Sequence, residues 1–384
     1  MSSDEPTVFV FSTHDISTVQ GTTEAYYVSM YFGEMFDTHV IGPLSEDIKG
    51  TETHSYSSTK LFGLLYMNII LLPKIVKLGY TKNPDILYVY RNVIIPPIVL
   101  KILFNSELVT DLRVHPVEQP KEFNNSNILS YLLLKFSWVG HAVLLQYSNI
   151  IITLSKPLRK DLTQSFNISK SEIYIIPLGA DVNTFAPVDG KPKEGISIAY
   201  VGSIKKIRGI DSVFNTLNQL SDEQQSQVTV ELFGPSSAEY IQELENMATK
   251  GEYSFIWHGF VQHKEIPTLV GQCDCAISPL PSNKGFEVSS PAKIYEYLSL
   301  GLPIIATKIT PHERILEHEV DSLLVEPKDT QEMAKAIERL LTDEDLREEL
   351  GSNARTKGIE NSWDRRIETI LEVFSSEIDS DIYN

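Results

Sequence analysis

Cysteine is scarce in this chain of 384 residues, and the two that occur, Cys273 and Cys275, are separated by a single residue. Residues two apart in a strand share a face but seldom form a disulfide, and two cysteines are too few for a tetrahedral metal site. Free cysteine is commonly buried. We therefore expect structural thiols in a protein of a reducing, cytosolic compartment.

Long hydrophobic runs are also lacking. The most apolar segment, residues 61–78, is interrupted by Pro73, Lys74 and Lys77, and a second apolar segment spans residues 128–145. A helix that crosses a bilayer needs about 20 predominantly apolar residues. Both segments are predicted to be core helices, with a role at a membrane interface as the alternative.

The chain also lacks an excess of basic over acidic residues. Lys and Arg number 33 against 51 Asp and Glu, which gives a formal net charge of −18. A protein that follows nucleic-acid phosphates needs a basic surface, so this composition argues against a general nucleic-acid binder. Residues 1–13 are acidic where a secretory signal would be basic, so no such signal is expected.

Strand-like and helix-like segments alternate along the chain, which is typical of a parallel α/β sheet. Six strands are predicted in each half, and the length suffices for two domains with their own cores. The polar stretch at 188–195 is the predicted linker. Residues 363–377 have the apolar spacing of an amphipathic helix.

The segment 284–307, KGFEVSSPAKIYEYLSLGLPIIAT, is the most informative part of the chain. It predicts a helix with Ser290 as N-cap, a proline at the first helical position and a left-handed stop at Gly301. Its N-terminus and Lys293 suit an anion such as a diphosphate. About a turn deeper, Glu296 is placed to accept hydrogen bonds from sugar hydroxyls.

A second anion site is predicted where a strand ends in YVGSIKKIRG, residues 200–209. Gly202 permits a ligand to approach the backbone closely, and Lys205, Lys206 and Arg208 supply cations that suit a pyrophosphate. A solvated basic turn explains the same residues equally well.

Polar residues also follow two strands of the first half. Gly21 precedes the first long helix and lets a substrate pass close to the backbone, although a plain strand-to-helix turn is the alternative. The fourth strand ends in TDLRVHP, where alternation places Asp111, Arg113 and His115 on one side. A functional interpretation is favoured over a structural one for these three residues.

Three segments, in order, resemble a known family. They are IYIIPLGADVNTFAP at 173–187, HGFVQHKEIPTLVGQCDCAISPLPS at 258–282, and SPAKIYEYL with GLPIIAT at 290–307. Together they resemble the retaining, group 1 glycosyltransferases of family 4, which have the GT-B fold.

The resemblance implies an α/β protein with two Rossmann-like, doubly wound domains that face each other across a cleft. Residues 1–190 would bind the acceptor, residues 191–362 would bind the nucleotide-sugar, and residues 363–384 would form a C-terminal helix that returns to the first domain. The implied activity is a hexosyltransferase-type transfer, with retention, from a nucleotide-sugar to a glycan or lipid-linked acceptor. Surface polysaccharide or glycoprotein glycan assembly is the implied setting, in the cytoplasm with peripheral contact to the cytoplasmic face of the membrane. No metal, no cofactor and no nucleic-acid partner are expected.

The resemblance also assigns roles to residues. Glu296 matches the glutamate that holds the nucleotide ribose, and Arg208 matches the cation that neutralises the departing diphosphate. Glu287 is the candidate contact to the donor sugar, because the family's first glutamate falls at Val288. The predicted catalytic residues are Arg113, His115, Arg208 and Glu287. The predicted nucleotide-sugar-binding residues are Gly21, Gly202, Ser203, Lys205, Lys206, Arg208, Ser290, Lys293 and Glu296.

Two alternatives keep the architecture. Ser203 stands where the family usually has arginine, and Val288 stands where it has glutamate. These departures favour a catalytically weak GT-B partner subunit. A nucleotide-sugar epimerase is the third interpretation.

Overall fold

The computed structural model describes residues 5–17, 23–56, 65–90, 92–113, 128–169, 173–188 and 195–378. The chain forms two compact units. The first comprises Met1–Pro177 and Arg366–Asn384, and the second comprises Leu178–Arg365. Each contains one parallel sheet with helices, which confirms the predicted α/β class. Most of the predicted linker, residues 189–194, lies outside the described residues.

The first unit is built on a seven-stranded parallel sheet. Its strands, in chain order β1 to β7, are Thr7–Phe11, Asp37–Gly42, Glu52–Ser55, Ile86–Tyr90, Glu107–Leu112, Ile150–Thr153 and Ile173–Ile175. In space the order is β3-β2-β1-β4-β5-β6-β7. The strand order reverses between β1 and β4, which is the position where doubly wound sheets commonly bind ligands.

The edge strand β3 was not among the six strands predicted for this half. Its sequence, ETHS, contains no aliphatic residue, and its residues are exposed or half-buried. An edge strand need not be buried on both faces. Its sequence can therefore lack the apolar residues from which a strand is predicted. Pairing of His39 with Glu52, and of Gly42 with Ser55, nevertheless adds it to the sheet.

Helices cover both faces of this sheet. They are α1 to α5, Thr23–Met35, Leu72–Lys82, Ile95–Phe104, Ile128–Tyr147 and Lys156–Phe166, with a π-helical turn at Tyr66–Ile70. Helices α2, α3 and α5 end at Asn83, Asn105 and Asn167, each with a positive φ. Asparagine tolerates the left-handed conformation that ends a helix, so these boundaries are encoded locally.

The second unit is built on a six-stranded parallel sheet, and all six strands predicted for this half are present. They are β8 to β13, Ile196–Val201, Val228–Phe233, Ser254–Trp257, Cys275–Ser278, Ile304–Thr307 and Ser322–Val325. Their order is β10-β9-β8-β11-β12-β13. Both cysteines are buried thiols, as predicted.

The helices of the second unit include the predicted anion-site helix. In chain order α6 to α14 they are Ile210–Leu217, Asp222–Gln225, Ala238–Ala248, Ile266–Val270, Lys284–Glu287, Ala292–Ser299, Thr310–Glu313, Thr330–Thr342 and Glu344–Glu360, with 3-10 turns at Lys206–Arg208 and His263–Glu265. Gly301 follows α11 with φ 66°, which confirms the predicted left-handed stop.

The last helix, α15, spans Trp363–Glu377 and completes the core of the first unit. Its apolar residues Ile367, Ile370 and Phe374 are buried there. The ring of Phe374 lies 5.9 Å from that of Phe32 and 6.4 Å from that of Tyr88, centroid to centroid. The predicted return of the C-terminal helix to the first domain is confirmed. Among the helices that the structure describes, we find none with the length and apolarity to cross a bilayer.

Candidate functional site

The neighbouring strands β8 and β9 are each followed by a glycine, and the backbones of these two glycines lie close together. Gly202 follows β8 with φ 125°, and Gly234 follows β9 with φ 149°. A Cβ atom on Gly234 would lie 2.1 Å from the carbonyl oxygen of Gly202, and one on Gly202 would lie 3.3 Å from Lys293 Nζ. Side chains are therefore excluded at both positions, and the backbone is left open beside a lysine.

Lys293 lies in the first turn of α11, and its Nζ atom is buried beneath this edge of the sheet. It lies 3.7 Å from the ring centroid of Tyr200, a cation–π geometry. Within the described part of the chain, Nζ makes no hydrogen bond. Burial, followed by the positive charge of Arg208, holds the pKa of Lys293 well below its usual range, while Glu296 acts in the opposite direction. A buried amine without a hydrogen-bond acceptor is costly, so an anion would stabilise it.

Arg208 supplies a second cation near Lys293. It ends the 3-10 turn Lys206–Arg208, is half-buried, and places its guanidinium carbon 5.1 Å from the ring centroid of Phe286. The aromatic face holds the planar guanidinium without neutralising it. The structure therefore brings together two predicted cations, Arg208 and Lys293, beside the predicted Gly202.

The other predicted residues of this loop have different surroundings. Lys205 is exposed, and the carbonyl oxygen of Ser203 accepts a hydrogen bond from the hydroxyl of Tyr200 at 3.3 Å. Lys206 is exposed and lies 2.6 Å from Glu243 Oε1. The hydrogen bond with Glu243 raises the pKa of Lys206. An anion would have to displace Glu243 in order to bind Lys206. It would displace no acceptor of the described residues at Lys293.

Glu296 is held by a residue that the sequence did not reveal. Its side chain is buried on α11, and its Oε1 lies 2.9 Å from His263 Nε2. The His263 ring in turn lies 5.1 Å from that of Phe185. His263 is part of the family-like segment 258–282, but no spacing rule connects it with Glu296, which is 33 residues away. The contact with His263 fixes Oε1 of Glu296. The position of Oε2 is then fixed as well, because the two oxygens belong to one planar carboxylate.

The predicted start of α11 is wrong by one residue. The helix begins at Ala292, and Pro291 is its N-cap, with an extended ψ of 109° and no capping side chain. A residue that precedes proline is biased away from helical geometry, which keeps Ser290 outside the helix. The Ser290 hydroxyl instead lies 3.1 Å from the hydroxyl of Tyr295.

Glu287 lies in the short helix that precedes α11. The short helix Lys284–Glu287 is capped by Asn283, whose side chain accepts a hydrogen bond from the Phe286 N–H at 2.9 Å. Glu287 is exposed, and its carbonyl oxygen accepts a hydrogen bond from Arg314 Nη2 at 2.6 Å. The main chain is thus fixed, and the carboxylate remains accessible.

In the first unit, Arg113 belongs to a buried network. Its Nη2 donates to Asp111 Oδ2 at 2.7 Å, its Nη1 donates to the carbonyl oxygen of Ile176 at 2.7 Å, and the Tyr88 hydroxyl donates to the same Asp111 oxygen at 2.8 Å. Arg113 is only 4% exposed. It therefore stabilises the carboxyl end of its own sheet. The predicted residues Gly21 and His115 lie outside the described residues.

A second buried network joins β11 and β12 beside the candidate site. His312 Nδ1 lies 2.7 Å from the Thr307 carbonyl oxygen, and its Nε2 lies 3.0 Å from the Ser278 hydroxyl. Burial lowers the pKa of His312 to about 4, against the smaller effect of the bond to Thr307. The imidazole is therefore neutral in the folded protein at neutral pH.

This burial predicts a loss of stability in acid. Because the folded-state pKa of His312 is below its unfolded value of 6.5, the unfolded chain binds the proton first as pH falls. The contribution of His312 is complete above about pH 6.5 and is lost towards pH 4, by up to about 3 kcal/mol. Urea unfolding at pH 7 and pH 4.5 should show a smaller pH-dependent loss in His312→Gln than in the unmodified protein. Equal losses in the two proteins would contradict the assignment.

The chain is similar to known sugar transferases. Residues 181–357 match the family model for glycosyl transferases group 1. A D-inositol 3-phosphate glycosyltransferase from Corynebacterium jeikeium is 26% identical over 231 residues, which are 56% of this chain and 54% of that protein. A chitobiosyldiphosphodolichol beta-mannosyltransferase from Candida albicans is 21% identical over 319 residues, covering 77% and 68% of the two chains. The chain spans little more than half the length of several of the curated relatives it matches.

Solved structures agree over nearly the whole chain. Anabaena Alr3699/HepE in complex with UDP superposes with a TM-score of 0.72 at 18% identity, covering 97% of this chain and 100% of that one. Sucrose-phosphate synthase from Thermosynechococcus elongatus gives 0.72 at 16% identity, covering 97% and 98%. These likenesses confirm the predicted GT-B fold. Support for a group 1 glycosyltransferase comes from the family model, which matches residues 181–357.

Proposed function

We propose that this chain is a metal-independent, retaining glycosyltransferase of family 4. It transfers a hexose from a nucleotide-sugar to a glycan or lipid-linked acceptor, in the assembly of a surface polysaccharide or glycoprotein glycan. The observation that carries the proposal is the buried amine of Lys293, which lies beside Gly202 and near Arg208 without a hydrogen-bond acceptor in the described residues. Two cations beside an open backbone suit a diphosphate. Support also comes from the relatives named as sugar transferases and from HepE, which was solved with UDP and with UDP-glucose.

The proposed reaction is a front-face displacement. The bond between the anomeric carbon and the diphosphate oxygen breaks, and a bond from the acceptor oxygen forms on the same face. The proton of the acceptor hydroxyl passes to the leaving diphosphate. Negative charge grows on that diphosphate in the transition state, so the fixed charges of Arg208 and Lys293 would stabilise it more than the ground state.

The two glutamates have separate proposed roles. Glu296, oriented by His263, accepts hydrogen bonds from the nucleotide ribose. Glu287, whose carboxylate is exposed, contacts the donor sugar. A role near the reacting centre for Arg113 or His115 stays a prediction.

Binding measurements separate the diphosphate contact from the ribose contact. Uridine and UDP serve as probes, with guanosine and GDP as the second pair. Lys293→Met keeps an apolar stem and removes the charge, so it should weaken nucleoside diphosphate binding about 10- to 100-fold and leave nucleoside binding unchanged. Glu296→Gln should weaken both members of the pair. Isothermal titration calorimetry gives each dissociation constant.

The matched control is Lys250→Met, which changes an exposed lysine of the same unit and should leave every constant unchanged. Calorimetry in two buffers of different ionisation enthalpy adds a second readout. Because burial holds the pKa of unliganded Lys293 below its usual range and a bound diphosphate would raise it, binding should take up protons at pH values between these two pKa values, and Lys293→Met should abolish this uptake. Unchanged diphosphate affinity in Lys293→Met would remove the basis of the proposed site.

Turnover separates a transferase from the two alternatives. We expect release of nucleoside diphosphate from the donor only when an acceptor pool of lipid-linked glycans is present, with EDTA without effect on the rate. NMR of the product should show the anomeric configuration of the donor. Donor binding without turnover would favour a partner subunit, and acceptor-independent release of nucleotide and free sugar would favour an epimerase.

A lipid-linked acceptor is supported by apolar side chains on the first unit. The π-helical turn Tyr66–Ile70 contacts α3, and α3 contacts α4. These neighbouring elements expose Ile70 and Ile102 at 56% and 66%, together with Trp138 at 43%. Apolar residues exposed together commonly mark a site of protein or membrane contact. We propose that this surface contacts the cytoplasmic face of the membrane.

Vesicle sedimentation tests this membrane contact. Ile102→Asp should reduce the fraction bound to vesicles of phosphatidylcholine and phosphatidylglycerol several-fold, because a charge is costly at an apolar interface. Ile359→Asp is the control, since Ile359 is 48% exposed on the second unit. Equal binding by the two variants would exclude this surface as the membrane contact.

A further inference from the structure

Three metal-ligating side chains lie together at the edge of the first sheet. His39 is on β2, and Glu52 and His54 are on β3. In the parallel register His39 pairs with Glu52, and Ile41 pairs with His54. Paired residues share a face, and so do residues two apart in a strand, so all three side chains project from the same face.

One ligand atom from each of these three residues lies within 4.8 Å of the other two. His39 Nδ1 lies 3.1 Å from His54 Nε2 and 3.4 Å from Glu52 Oε2, and His54 Nε2 lies 3.7 Å from Glu52 Oε1. Two ligands bound tetrahedrally to Zn²⁺ at about 2.0–2.1 Å are about 3.3 Å apart. The separation of the two histidine nitrogens differs from this value by a few tenths of an ångström, while the two distances to Glu52 involve its two different oxygens.

His39 is buried with its Nε2 near a carboxylate. It is fully buried, and its Nε2 lies 3.3 Å from Asp37 Oδ2 without the geometry of a hydrogen bond. The negative charge of a carboxylate near one ring nitrogen favours the proton on that nitrogen, which leaves the lone pair on the other. Here the other nitrogen is Nδ1, which faces His54 and Glu52. The Phe9 ring, at 5.3 Å between centroids, packs edge-on against the imidazole.

One cation already neutralises the carboxylates. Lys82, the last residue of α2, places Nζ 3.0 Å from Glu52 Oε2 and 3.9 Å from Asp37 Oδ2. The hydrogen bond from Lys82 is the main cause of the lowered pKa of Glu52. A metal ion would compete with Lys82 for Glu52. The ion would also bind the two imidazoles, to which the ammonium group of Lys82 makes no bond.

We propose that His39, Glu52 and His54 bind a divalent transition-metal ion of the Zn²⁺ class. Two imidazoles and one carboxylate favour Zn²⁺ over Mg²⁺ or Ca²⁺, which prefer oxygen ligands. Glu52 is exposed and His54 is half-buried, so the ion can enter from solvent, and water completes its coordination. The ion joins the polar edge strand β3 to β2 and stabilises the first unit. It takes no part in the transfer reaction proposed for the second unit.

Calorimetry on the full chain, treated with EDTA and dialysed, tests this site with ZnCl₂ as the probe. We expect one equivalent of Zn²⁺ to bind and to raise the melting temperature, because the ion binds the native state. Co²⁺ in its place should give the visible absorption of a site with nitrogen ligands. His54→Ala and Glu52→Gln should each weaken binding at least tenfold. Lys82→Met should strengthen it, since the competing cation is removed.

The matched control is His258→Ala, because His258 is a partly exposed histidine that lies 2.8 Å from Glu231 in the second unit. It should bind Zn²⁺ as the unmodified protein does. Circular dichroism and UDP binding verify that each variant is folded, and loss of UDP binding alone would affect the proposed function but not this site. The metal proposal is overturned if no stoichiometric binding occurs, if His54→Ala binds as tightly as His258→Ala, or if Mg²⁺ binds equally well.

Discussion

The burial of Lys293 is the constraint on which the candidate site depends. An amine removed from water loses several kcal/mol of solvation unless a partner replaces it. The face of Tyr200 returns part of this stabilisation. Gly202 and Gly234 leave room beside Lys293, since a side chain at Gly202 would press on the amine and one at Gly234 would collide with the Gly202 backbone. The site is therefore organised for negative charge before any ligand arrives, which reduces the reorganisation needed when the ligand binds.

Residue types with a local conformational preference were the most predictable from sequence. Gly301 ends α11 because a left-handed φ favours glycine, and the alternation of strands and helices identified both sheets. Ser290 shows where local rules compete. Serine is a good N-cap, but the proline that follows biases it towards extended geometry, so Pro291 becomes the cap.

Contacts between residues far apart in the sequence were less predictable. His263 and Glu296 are 33 residues apart, and only the folded sheet brings them within hydrogen-bond distance. Asp111 and Arg113 were correctly placed on one side of a strand. Their pairing in a buried network also depends on Tyr88, from a neighbouring strand, and such tertiary partners leave no periodic signal in the sequence.

The position of α15 has a consequence for the order in which the protein folds. The residues that complete the core of the first unit, among them Ile370 and Phe374, follow the entire second unit along the chain. Domains generally fold from the N-terminus during synthesis. Here the ribosome must release the second unit before the first can bury all of its apolar surface. The first unit to emerge is thus the last to be completed, and its exposed core surface is available to chaperones throughout translation of residues 178–365.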